Sequence, residues 1–96
     1  MSNPVREIEY NGFDGLWKLD VKYDAILVIK DSEHRIYDLD DITKVEHDTE
    51  YVWLYKYGGG FYQVKFEVGN FLVIDEFDSN DEFVGSVGSH VFGEEN

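Results

Sequence analysis

The chain of 96 residues carries 21 acidic and 8 basic side chains, a net charge of −13, and its length suits one domain of the common ~100–150-residue size. That excess of negative charge excludes direct binding to a nucleic-acid backbone or an anionic membrane surface, both of which need a basic footprint. Seven Tyr, seven Phe and two Trp within a 43% apolar composition exclude a disordered chain, because they supply enough burial to offset chain entropy.

There is no cysteine, which removes disulfides, thiolate chemistry and Cys-based zinc sites together. No apolar run approaches the ~20 residues of a membrane helix, and residues 1–7 lack the basic and apolar regions of a signal peptide. The expectation is a cytoplasmic, single acidic β domain spanning residues 1–96.

The dominant period is two. Trp17, Leu19, Val21 and Tyr23 alternate with Lys18, Asp20 and Lys22, the pattern of a half-buried strand. Ala25 to Ile29 is an apolar run suited to a strand covered on both sides, and Arg35 to Leu39 reads as the next strand. Residues 40–46 allow two readings: one short helical turn with Leu39, Ile42 and Val45 on one side, or a turn followed by a short strand. Strands at Tyr51–Tyr57, Phe61–Val68 and Phe71–Phe77 follow, joined by Gly58-Gly59-Gly60 and Gly69-Asn70; the last is a strong hairpin signal. A final strand, Phe83–Phe92, contains Gly85 and Gly88, which point to a bulge or a close approach of another backbone. Six to eight short strands imply an all-β fold: a small antiparallel meander, curled into a strongly bent sheet or an SH3-like small barrel.

A two-residue turn at Gly69-Asn70 sets Val68 against Phe71, Phe66 against Val73 and Val64 against Asp75. Val52 and Leu54 then face Phe66 and Val64. The expected core face is Val52, Leu54, Tyr62, Val64, Phe66, Val68, Phe71, Val73 and Phe77. Asp75 falls on that face near the sheet's end. The opposite face mixes Tyr51, Trp53, Tyr55, Tyr57 and Phe61 with Gln63, Lys65, Glu67, Leu72, Ile74 and Glu76.

Two patterns bear on function. The stripe Tyr51, Trp53, Tyr55, Tyr57 consists of rings with polar tips, which are enriched in protein interfaces; the plainer alternatives are cover by the first half of the chain or a Lys65–Trp53 cation–π pair. The acidic series Asp38/Asp40, Glu46/Asp48/Glu50 and Glu76/Asp78 have members two residues apart. In an extended chain such members project on one side ~6.6 Å apart, like successive phosphates. Asp81 and Glu82 add to this surface, and residues 66–96 hold eight acidic groups and no Lys or Arg. The plainer alternative is a solubilising surface.

Other chemistry is poorly supported. The loop Asp78-Ser79-Asn80-Asp81-Glu82 starts like an EF-hand, but Phe83 stands where Gly is required and Ser89 where the bidentate Glu is required; at most a loose surface calcium site remains. His34, His47 and His90 lack ligand spacing. Gly85-Ser86-Val87-Gly88-Ser89-His90 is no nucleophile elbow, and no phosphate-binding glycine loop opens a helix. No catalytic residue, cofactor or metal is therefore expected.

In its size, acidity, missing cysteines and β pattern the whole chain resembles in kind the small inhibitors that block nucleases or DNA-binding machines. Nuclease immunity proteins and phage anti-restriction or anti-CRISPR proteins are examples. The resemblance implies an inhibitor that imitates nucleic acid on a basic protein partner, with the acidic residues steering association and Tyr51, Trp53, Tyr55 and Tyr57 as anchors. The alternative is a non-inhibitory accessory or structural β module docking into a larger complex through its aromatic face.

Overall fold

The computed structural model describes residues 4–93, which form nine antiparallel strands and no helix. These are β1 (Pro4–Gly12), β2 (Gly15–Lys22), β3 (Ala25–Lys30), β4 (Glu33–Asp38), β5 (Ile42–His47), β6 (Tyr51–Lys56), β7 (Phe61–Glu67), β8 (Phe71–Phe77) and β9 (Phe83–Val91). Two meanders result: a first sheet in the order β1-β2-β3-β4 and a second in the order β5-β6-β7-β8-β9. The all-β reading holds, with the chain divided between two sheets.

The core lies between the sheets. The first contributes Ile8, Trp17, Leu19, Val21, Ile26 and Val28; the second contributes Ile42, Val45, Val52, Leu54, Tyr62, Val64, Leu72 and Ile74. Leu39 on the link and Phe92 past β9 complete it. Burial of these side chains is the main driving force for folding.

β1 goes beyond the strands that the sequence pattern marks. Ile8 and Tyr10 alternate with Glu7, Glu9 and Asn11, and the acidic side chains hide a short amphipathic strand whose Ile8 is buried. The run at Ala25–Ile29 is covered on one side only: Ile26 and Val28 are buried, whereas Leu27 and Ile29 are half-buried on the outer side. The ambiguous stretch at 40–46 is a turn followed by strand β5. Its helix-like spacing has a local cause. The register shifts between Ile42 and Lys44, so the irregularity turns both Ile42 and Val45 toward the core, which a regular period of two would forbid.

The link between the sheets is pinned at three points. Leu39 N donates to Asp24 O at 2.8 Å, Ile42 N to Tyr23 O at 2.7 Å, and Tyr57 N to Asp41 O at 2.8 Å. Side chains bridge both seams where edge strands meet. On one, an Arg6 guanidinium nitrogen donates to Val45 O at 3.0 Å. On the other, His90 Nε2 lies 2.6 Å from Glu33 Oε2.

The β7–β8 register corrects the expected faces. Glu67 pairs with Phe71, Phe66 with Leu72, Val64 with Ile74 and Gln63 with Asp75. The connection holds three residues, Val68-Gly69-Asn70, with Gly69 and Asn70 both at positive φ (89° and 58°), a conformation Gly and Asn tolerate best. One extra residue flips every side chain of β8. Leu72 and Ile74 therefore enter the core, whereas Phe71, Val73 and Phe77 leave it, and Val68 is exposed in the turn. Across β6–β7, Val52 faces Val64 and Leu54 faces Tyr62, a slip of two residues from the expected pairing that leaves the faces of β6 unchanged.

The β9 glycines accompany bulges, but the close approach at Gly88 is by a side chain and not by another backbone. The β8–β9 register shifts twice, between Ile74 and Asp75 and between Glu76 and Phe77, leaving Val84 and Val87 as extra residues. Gly88 meets the Tyr37 ring from the first sheet so closely that an added Cβ would lie 2.6 Å from two ring carbons.

Candidate protein-binding surface

With Leu72 and Ile74 turned inward, the outer face of the second sheet collects the aromatic residues of neighbouring strands. Tyr55 pairs with Phe61, Phe61 with Phe77, and Phe77 with Phe83. The rings form a continuous row across β6 to β9, with centroids 5.9, 4.8 and 5.8 Å apart. Lys44 extends it to β5, its Nζ 5.5 Å from the Tyr55 ring centroid. Tyr51 and Trp53 stand beside the row on β6, their rings 5.8 Å apart. No described element covers this face; Phe83 is 60% exposed, and Tyr51, Trp53, Tyr55, Phe61 and Phe77 are half-buried.

At its centre lies an ion pair. Lys65 Nζ is 2.9 Å from Asp75 Oδ2, and the Ser86 hydroxyl donates to Asp75 Oδ1. Asp75 is only 6% exposed. Burial alone would raise its pKa, but the bonds from Lys65 and Ser86 outweigh that and hold the carboxyl below the usual aspartate value. Asp75 is thus a paired carboxylate in mid-strand, neither on the apolar face nor at the sheet's end. The same pairing engages Lys65, which stands opposite Tyr51 and not Trp53.

The stripe and the acidic series separate. Tyr51, Trp53 and Tyr55 share the outer face, but β6 ends at Lys56 and the 77%-exposed Tyr57 stands past it, near Tyr23 and Asp41. Glu46, Asp48 and Glu50 form no straight ladder, because the chain turns within them. Glu46 lies on β5 opposite Trp53 and 3.3 Å from Lys44 Nζ. Asp48 Oδ1 accepts the Glu50 and Tyr51 amides at 2.8 and 2.9 Å, which lowers its pKa; Glu50 is exposed. Asp78 has the same turn role, accepting the Asn80 and Glu82 amides at 2.8 and 3.0 Å.

Glu76 points to the inner side of the sheet, where its Oε2 meets Lys56 Nζ at 2.6 Å. Asp38 ends β4 on the outer side of the first sheet, and Asp40 lies on the link with its amide donating to the Tyr62 hydroxyl. Only part of the acidic set therefore borders the aromatic face: Glu46 and Glu50 at one end, and Asp81 and Glu82 in the β8–β9 loop. Burial, a bond to Glu46 and the charge of Asp81 all raise the Tyr55 hydroxyl pKa. The sequence pattern sets Phe61 on this face but Phe77 in the core, and it does not distinguish Phe83. The strand-to-strand recurrence of a Phe beside each turn was the available signal.

Among the described residues, no group of three or more His, Asp or Glu converges to hold a metal ion, and no helix is long and apolar enough to cross a membrane. Comparison of the chain with protein-family models, curated proteins and solved structures finds no match.

Proposed function

We propose that this chain is a non-catalytic binding protein that docks onto a basic protein through the outer face of its second sheet. One observation carries the reading: the aromatic row Tyr55, Phe61, Phe77, Phe83 lies across four strands on a face no described element covers, beside carboxylates at both ends. Rings already packed against one another lose little conformational freedom when a partner covers them. The carboxylates select a basic surface and speed encounter.

A second reading is that the partner is a nucleic-acid-binding protein and the chain inhibits it by taking the nucleic acid's place. The absence of Lys and Arg after Lys65 favours it, since that last third of the chain presents charge of one sign. The broken 46–50 ladder removes the regular phosphate-like spacing, so the likeness to nucleic acid reduces to net charge.

Affinity capture with the full chain and with the double variant Trp53→Ala/Phe61→Ala tests both. A basic protein retained by the first and lost with the second supports docking through this face. Retention by both sinks it. Competition between the chain and DNA or RNA for the captured protein supports the inhibitor, and simultaneous binding at unchanged affinity rules it out.

A further inference from the structure

A concavity lies off the aromatic row, where the β1–β2 hairpin, the β5–β6 turn and the end of β7 meet. It is a cleft of about 400 Å³ lined by residues that include the aromatic Tyr10, Phe13, Tyr51 and Phe66 and the acidic Glu50 and Glu67. Tyr10 and Phe66 are stacked at 4.4 Å, and the Tyr10 hydroxyl is fixed by donating to Thr49 O. Phe13, at the hairpin tip, is 87% exposed, an unusual position for a ring no described element covers. The local field is negative, since Asp48 and Glu50 both add to the effect of burial in raising the Tyr10 pKa. Lys65 also lines the cleft, but its ammonium is held by Asp75 at 2.9 Å.

Aromatic faces attract cations through their quadrupoles, most strongly where water is partly excluded. Carboxylates beside them add charge and hydrogen-bond acceptors that a planar guanidinium can use. We infer that this cleft seats the cationic end of one arginine or lysine side chain of the protein partner. The inference rests on the proposed function for the partner, while the cation selectivity of the cleft is a property of this chain alone.

The test needs no partner. N-acetylargininamide and its neutral isostere N-acetylcitrullinamide are titrated into the labelled full chain, and side-chain resonances are followed by NMR. The expected result is saturable shifts at Tyr10, Phe13, Tyr51 and Phe66, with binding about tenfold weaker for the citrulline compound. Phe13→Ala and Glu50→Gln, both at exposed positions, should each weaken arginine binding while leaving the backbone spectrum intact. Equal shifts with both compounds, or none with either, overturn the inference. If arginine fails here but Trp53→Ala/Phe61→Ala still abolishes partner capture, the cleft reading falls and the docking face stands. Arginine-selective binding without any basic partner would sustain the cleft and overturn the docking proposal.

Discussion

Lys65 on β7 and Asp75 on β8 meet diagonally at 2.9 Å on the solvent side of the second sheet, where Asp75 is nearly as buried as the core. The outer face therefore has an internal structure of its own: a buried carboxylate paired with a half-buried ammonium and bordered by aromatic rings. Such a pair contributes little net stability compared with an apolar replacement, but breaking it leaves one charge without its partner.

Asp75→Asn is accordingly expected to cost about 2 kcal/mol by urea denaturation, because Lys65 loses its counter-charge and Ser86 its charged acceptor. Lys65 is about a third exposed and can turn toward water, which keeps the loss below the ~3–5 kcal/mol of fully buried pairs. A change below ~0.5 kcal/mol, the level of an ordinary surface substitution, would show that the pair is not desolvated.

Gly88 and Tyr37 make a second testable contact. Gly88→Ala places a methyl group 2.6 Å from the Tyr37 ring and should destabilise by about 1–3 kcal/mol through overpacking. In a Tyr37→Ala background the same change should cost much less, a coupling that a double-mutant cycle measures. Tyr37→Phe should be neutral or slightly stabilising, since the buried Tyr37 hydroxyl finds no hydrogen-bond partner among the described residues.

The period of two made most strands legible, and the three-glycine loop and the polar 78–82 stretch marked their ends. The faces of β8 were not legible, because they depend on whether the β7–β8 connection holds two or three residues, and Gly-Asn suits either. A warning was present, however. The two-residue register put Asp75 in the core and Leu72 and Ile74 outside; the alternative exchanges them, and hydrophobic burial decides between the two. The acidic series misled for a different reason. Alternation at Glu46, Asp48 and Glu50 looks like a strand face, but Asp48 is a turn former whose carboxylate binds backbone amides. The cleft near Phe13 was out of reach, since β1 was not recognised and its hairpin brings Tyr10 to Phe66 across 56 residues of chain.

Stability should depend on pH through carboxylates that bind backbone amides. Asp14 Oδ2 accepts the Gly69 and Asn70 amides at 2.8 and 3.1 Å, tying the β1–β2 hairpin to the β7–β8 turn and lowering its pKa below the ordinary 3.8. A depressed folded-state pKa means stability fully present above the unfolded value and lost as pH falls through the folded one. Glu33 is held below its ordinary 4.5 by the Gly93 amide and His90. Asp14→Asn should therefore melt below the wild type at neutral pH, and the gap should close once Asp14 is protonated. An equally wide gap at about pH 2 would mean that the effect of Asp14 is not that of its charge.

Binding kinetics separate the roles of the rings and the rim. Trp53→Ala and Phe61→Ala remove packed area that a partner would cover, and such losses appear mainly as faster dissociation. Glu46→Gln with Glu50→Gln removes exposed charge at one end of the face without touching the turn-forming Asp48. It should slow association several-fold at low salt, and the difference should fade as ionic strength shortens the screening length. Asp48→Asn is unsuitable for this purpose, because it would alter the turn and the charge together. Stopped-flow association and dissociation of the captured basic partner across a salt series provide the measurement. If the Gln pair leaves association and its salt dependence unchanged, the rim is only solubilising; if Trp53→Ala and Phe61→Ala leave dissociation unchanged, the partner docks on another surface.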